Sequence, residues 1–187
     1  MGKAEKDNAF SHLDYKITLF TVYLAVLQSQ ASKLGDHLGL EWSANKEYGQ
    51  SFASFFPFYV SQHQDGTCVI LHVIATSILI LMCMNDYRVA LSIGLSALAG
   101  LSSKELTRSF SHGFVEMAIM QGIFFMSMLH MKASMKRALA VPVVCYGLAW
   151  VGHFFFEDNK PATFIYPVYS LIGDFNLFVN HISSMVS

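Results

Sequence analysis

Four apolar stretches follow one another through the middle of this chain, at about Cys68–Met84, Tyr87–Leu101, Gly113–His130 and Ala138–Phe156. A bilayer-crossing helix needs about 20 predominantly apolar residues, with about 17 as a lower bound. The first, third and fourth stretches approach that length. The second, "RVALSIGLSALAGL", is short and rich in Gly and Ser, so it makes the weakest span. Its small residues Gly94, Ser96, Ala97 and Gly100 suit close helix packing in lipid. Composition decides between membrane and water: 53% of residues are hydrophobic and 13% charged, against roughly one-quarter charged in an average soluble domain. So few charges do not coat a water-soluble globule of 187 residues. The expectation is an all-α, multi-pass membrane bundle of about four transmembrane helices, with a buried soluble bundle as the alternative weighed.

The connections are short and polar, at Asn85-Asp86, "SSKELTR" and "KASMKR", which makes sequential helices antiparallel. Residues 1–50 read as an N-terminal extension and 51–187 as a membrane-embedded catalytic domain. Within the extension, "ITLFTVYLAVL" has only about 11 apolar residues and fits an interfacial helix. "LGDHLGLEWSANKEYG" reads as a loop broken by Gly35, Gly39 and Asn45. At the other end, "TFIYPVYSLIGDFNLFVNHI" reads as an interfacial helix interrupted by Pro167 and Gly173. The polar start lacks the apolar core of a signal peptide. A net charge of −1 with scattered basic residues excludes a nucleic-acid footprint. Cys68, Cys83 and Cys145 stand in apolar runs without paired spacing and read as inert thiols.

Antiparallel order brings four of the eight histidines to one membrane face. His63 and His72 flank the start of the first span, His112 starts the third, and His153 ends the fourth, with Glu116 and Glu157 close behind. His130 falls on the opposite side, and His12, His37 and His181 read as solvent-exposed. The pairs His153/Glu157 and His112/Glu116 are each spaced i,i+4, which stacks them on one helix face and suits two metal ligands or a histidine oriented by a carboxylate. The plainer reading is a surface pair at a membrane boundary. His63 and His72 fall on opposite faces of one helix, but Asp65-Gly66 is a turn signal that folds one back toward the other. His72, set among Val69, Ile70, Leu71, Val73 and Ile74, needs a partner, if only a backbone carbonyl. Imidazole and carboxylate donors suit Fe(II), Zn or Mn. Iron supports oxygen chemistry and zinc hydrolysis, and the donor set leaves both open.

"FFPFYVSQH", "TCVILHVIATS" and "WVGHFFFEDNKPATFIYPVYSLIGDF" resemble the blocks of a family of small membrane proteins, the 2-hydroxy fatty acid dioxygenases. The likeness covers roughly residues 52–84 and 138–178, and its most specific part is G-H-x-x-F-E-x-x-x-P-A at Gly152–Ala162. It implies an Fe(2+)-dependent enzyme that uses O2 to shorten 2-hydroxy fatty acids by one carbon, in phytosphingosine degradation. It also implies contact with membrane lipids and, in a eukaryote, residence in the endoplasmic reticulum. Carried over by position, the metal ligands would be His63, His72 and His153. Glu157 would be a fourth ligand or would orient His153, and Lys160 would meet the substrate carboxylate. Residues 1–50 have no counterpart, Asp158-Asn159 replaces a more basic pair, and His112, in no matching block, is a metal candidate by topology alone. The competing classes are a zinc-dependent membrane lipid hydrolase and a non-catalytic membrane scaffold.

Overall fold

The computed structural model describes residues 51–107 and 109–186. Of the first fifty residues it describes only Val22, Tyr23, Val26, Gln30, Lys33, Leu34 and His37, all helical and exposed. Leu34 and His37, expected in a loop, are therefore helical. The remainder of that loop, most of the expected interfacial helix and His12 lie outside the described residues. Among the described residues from 51 on, the architecture is six α-helices and no strand.

Helix α1 (Phe52–Ser61) opens with a capping box, in which the Ser51 and Ser54 hydroxyls each accept the other residue's backbone N–H at 3.1 Å. This satisfies two of the orphan donors at a helix start. Helix α2 (Gly66–Asn85) is capped by the Asp65 carboxylate, which accepts from Thr67 and Cys68 N–H at 2.8 and 3.0 Å. After Asp86 the chain reverses into α3 (Tyr87–Thr107). The presumed weakest span is thus 21 residues long, because most of "SSKELTR", expected as a loop, continues the helix. Two of its hydroxyls are consumed locally, Ser103 donating to the Gly100 carbonyl and Thr107 to that of Ser103. The Lys104 ammonium lies 3.6 Å over the Tyr169 ring.

Helix α4 (Phe114–His130) is shorter, and α5 (Met135–Gly152) runs on through a π-turn at His153–Glu157. A 3-10 turn (Ala162–Phe164) leads into α6 (Pro167–Val186). Pro167 and Gly173 do not interrupt this last helix. Proline serves as its first residue, where no N–H is needed. Gly173 lets the Tyr59 ring approach so closely that a Cβ would stand 3.0 Å from it.

Among the described residues, three segments are long and apolar enough to cross a membrane: Gly66–Asn85, Tyr87–Thr107 and Met135–Glu157. No more than 28% of any of these windows is buried inside the bundle. Leu81, Met84, Leu98, Leu106 and Val143 all point outward, each more than half exposed. The inner faces form two clusters. One, around Leu79, Val89, Phe124, Phe125 and Met128, fills the end near the Asp86 turn. The other, around Phe55, Tyr59, Met120, Tyr166 and Val168, joins α1, α4 and α6.

Candidate metal centre

At the end of the bundle away from Asp86, the loop after α1 carries His63, the second turn of α2 carries His72, and the π-turn after α5 carries His153. All three are buried, 5%, 4% and 2% exposed. Their ring centroids form a near-equilateral triangle of 4.5, 4.8 and 5.1 Å, and the planes are almost mutually perpendicular, at 86°, 73° and 83°. Perpendicular imidazoles point their ring edges at a common volume instead of stacking. The fully buried Cys68 joins them, and one donor atom from each of these four residues lies within 4.8 Å of the others.

Every Nδ1 is anchored. His63 Nδ1 donates to the Tyr59 carbonyl at 2.7 Å, His72 Nδ1 to Asp174 Oδ1 at 2.7 Å, and His153 Nδ1 to Asn159 Oδ1 at 2.6 Å. The Asn159 amide is oriented independently, since its Nδ2 donates to the Gln62 carbonyl at 3.1 Å. With Nδ1–H committed, the lone pair of each ring rests on Nε2. The Nε2 atoms of His63 and His72 are buried and have no hydrogen-bond partner among the described residues. A buried polar atom left unpaired costs about 1–3 kcal/mol, and a metal ion would satisfy both at once. Burial, and then the neighbouring His72, push the His63 pKa down to about 3, so this ring is neutral at physiological pH, as a ligand must be. These donors fit a divalent transition metal whose histidines are held from behind.

Asp174 also accepts from the Tyr59 hydroxyl. Burial, and then the charge of Asp174, raise the Tyr59 phenol well above its ordinary range, which keeps it a donor. The local sequence explains the close approach of α2 and α5. A Cβ on Gly152 would meet Cys68 Sγ at 3.0 Å and Cys68 Cα at 3.2 Å, so glycine immediately before His153 lets the two helices touch there.

Glu157 bridges two segments beside the group. Its two carboxylate oxygens accept the backbone N–H groups of Gln64 and Asp65 at 2.8 and 2.7 Å, clamping the loop that carries His63 to the turn that carries His153. The left-handed Asp158 (φ 54°) completes that turn and delivers Asn159 to His153. Lys160 is buried, 4% exposed. His112 lies at the same end of the bundle but outside the group, stacked between Phe110 and Phe114. Glu116, spaced with it, accepts the Val168 N–H at 2.9 Å and so ties α4 to α6.

Sequence reasoning missed Asp174, Asn159 and Cys68. A lone carboxylate within "SLIGDFNLF" was the signal for the first. The i,i+4 spacing of Cys68 and His72, which puts both on one face of α2, was the signal for the thiol taken as inert.

His72, His153, Asp174 and Tyr59 line a cavity of about 110 Å³ that is partly open to the surroundings. Its remaining walls are largely apolar, among them Leu79, Ile93, Phe124, Phe125, Val141 and Leu171.

Buried histidines converging at the head of an apolar cavity, in an all-helical bundle with membrane-length helices, define a candidate metal-dependent site for a lipid-like ligand. The chain belongs to the family described as 2-hydroxy-palmitic acid dioxygenase Mpo1-like, which it matches over residues 49–186. No curated protein and no solved structure matches it.

Proposed function

We propose that this protein is an Fe(II)-dependent membrane dioxygenase that shortens 2-hydroxy fatty acids by one carbon. The observation that carries the reading is the set of three buried, Nδ1-anchored histidines, two of which, His72 and His153, line an apolar cavity. The family supplies the substrate class. In this reading dioxygen is the oxidant and the bond broken joins C1 and C2 of the acid.

His63, His72 and His153 would hold the metal through Nε2, with Cys68 the further donor within reach. Bound there, Fe(II) would supply the site at which dioxygen and the hydroxy acid are activated. Asp174 and Asn159 fix the ring orientations of His72 and His153, and Asp174 increases the basicity of His72. Tyr59 shares the Asp174 oxygen and so restrains that carboxylate. The apolar walls take the alkyl chain and exclude water from the reacting end. Glu157 holds the loop and turn together, and this reading gives no role to His112 or Lys160, neither of which lines the cavity or belongs to the donor group. The same reading sets residues 51–187 in a membrane, with α2 to α5 spanning it and interfacial helices at both ends. In a eukaryotic cell that membrane would be the endoplasmic reticulum, and the route served would be sphingolipid degradation.

The deciding experiment loads the purified protein with Fe(II) anaerobically and then follows oxygen uptake with 2-hydroxypalmitate. Substrate-dependent uptake supports the proposal. Stoichiometric zinc in the protein as purified, with no uptake after iron loading, would favour a zinc-dependent lipid hydrolase, a reading to which the Cys68 thiol lends weight because zinc accepts mixed Cys and His ligands.

A further inference from the structure

Four buried polar atoms in the cavity wall are not explained by the metal centre. Both amide atoms of Gln121, the Ser170 hydroxyl and the Trp150 indole N–H have no hydrogen-bond partner among the described residues, and all three residues line the cavity. Gln121 is 5% exposed and Ser170 4%. Helix interiors rarely leave such groups orphaned, because each costs about 1–3 kcal/mol.

Their positions surround the region next to the histidines. Trp150 stands three residues before His153, and Ser170 stands four before Asp174, each about one helical turn away along its own segment. Gln121 is placed by helix register. Its neighbour Met120 accepts a hydrogen bond from Ser96 at 2.8 Å across α3 and α4. Ser96 lies ten residues beyond the Asp86 turn, and His72 lies fourteen before it. At about 1.5 Å per residue, Gln121 therefore sits roughly 6–8 Å farther into the bundle than His72. That is about the space a metal ion and a two-carbon polar head group would take up.

Taking the cavity as a 2-hydroxy fatty acid site, as proposed above, we infer that Gln121, Ser170 and Trp150 form the subsite that recognises the hydroxy-acid head and selects it over an unhydroxylated fatty acid. The hydrogen-bond inventories match. The Gln121 Nε2, the indole N–H and the Ser170 hydroxyl supply donors, which carboxylate oxygens accept. Gln121 Oε1 needs a donor, and the 2-hydroxyl is the one group of the head that provides it. A plain fatty acid carboxylate leaves Oε1 buried and unpaired. A site built to bond a hydroxyl rejects the analogue lacking it strongly for this reason.

The test is equilibrium binding to the anaerobic, Fe(II)-loaded full chain in detergent, by displacement of a fluorescent fatty acid, for 2-hydroxypalmitate and palmitate. Wild type should prefer the hydroxy acid. Gln121→Met should weaken 2-hydroxypalmitate about tenfold, the equivalent of 1.4 kcal/mol, and change palmitate less than about twofold. Ser170→Ala and Trp150→Phe each lose a donor to the carboxylate and should weaken both acids, and they carry the test if Gln121→Met does not fold. A Gln121→Met variant that keeps the wild-type preference, or Ser170→Ala and Trp150→Phe variants that bind both acids as wild type does, overturn the subsite while leaving the proposed activity standing. A wild type that binds neither acid overturns both.

Discussion

His72 Nδ1 and Asp174 Oδ1 meet at 2.7 Å although 102 residues separate them in the chain. The contact joins the second helix to the last and sets the direction in which a buried imidazole presents its free nitrogen. Losing an outer carboxylate of this kind typically costs about 10–100-fold in metal affinity. Asp174→Asn is therefore expected to weaken Fe(II) binding by that range, read from competition with a chelating dye. Tyr59→Phe, which leaves the His72 contact in place, should cost less.

The ligands themselves should behave as a set. His63→Ala, His72→Ala and His153→Ala are each expected to reduce bound metal to background by elemental analysis. His112→Ala should retain it, because that ring stacks between two phenylalanines away from the group. Equal loss in the His112 variant would mean that the proposed ligand set is incomplete.

Glu157 offers a sharper discrimination. As a clamp it accepts two backbone N–H bonds, and hydrogen bonds to a charged group contribute about 1.5–3 kcal/mol. Glu157→Gln should lower thermal stability by an amount of that order while keeping its metal. Metal falling to background, as in His72→Ala, would make Glu157 a ligand instead.

At the opposite end of the bundle, Asp86 accepts from Arg88 Nε at 2.8 Å, Nη2 at 2.9 Å and backbone N–H at 3.1 Å, and from Arg137. The Arg88 hydrogen bonds, with Arg137 adding to them, hold its carboxyl well below the ordinary value of 3.8. The unfolded chain therefore takes up a proton at this residue before the folded chain does. Its stabilising contribution is complete above the ordinary carboxylate range and is lost as pH falls through 3.8 toward the lower folded value. Thermal unfolding in detergent from neutral to acid pH should show a shallower acid decline for Asp86→Asn than for wild type, from a lower neutral starting point.

Gly152→Ala tests the helix contact that underlies the site. The new methyl would stand 3.0 Å from Cys68 Sγ, and overpacking of this kind costs about 1–3 kcal/mol. Lower melting temperature together with weaker metal binding is expected, since separating α2 from α5 separates His72 from His153.

Much of the fold was legible because apolar length is a local property. The runs around "VILHVIATSILILM" and "VPVVCYGLAWVGHFFF" are helical where their hydrophobicity puts them, and short polar links make neighbours antiparallel. Where local signals competed, they misled. Gly94 and the serines of α3 suggested a short span, yet tertiary contacts such as Ser96 to Met120 and Lys104 over Tyr169 carry the helix to Thr107. Pro167 and Gly173 suggested breaks, but a proline is harmless at a first helical position, and the glycine exists for the Tyr59 ring.

For the site, sequence alone named the histidines that could bind a metal, though not Cys68, and chain parity determined the end of the bundle at which His63, His72, His112 and His153 gather. Parity counts crossings, so it assigns an end but not a direction around the bundle axis. Only the packed structure decided that direction. It turned His63, His72 and His153 inward with Cys68, left His112 between two aromatic rings, sent Glu157 to the backbone of Gln64 and Asp65, and brought Asp174 from the last helix behind His72. Those choices depend on how deeply one helix sinks against another at points such as Gly152 and Gly173, where the absence of a single side chain sets the distance. Periodicity within one helix does not encode such contacts between helices.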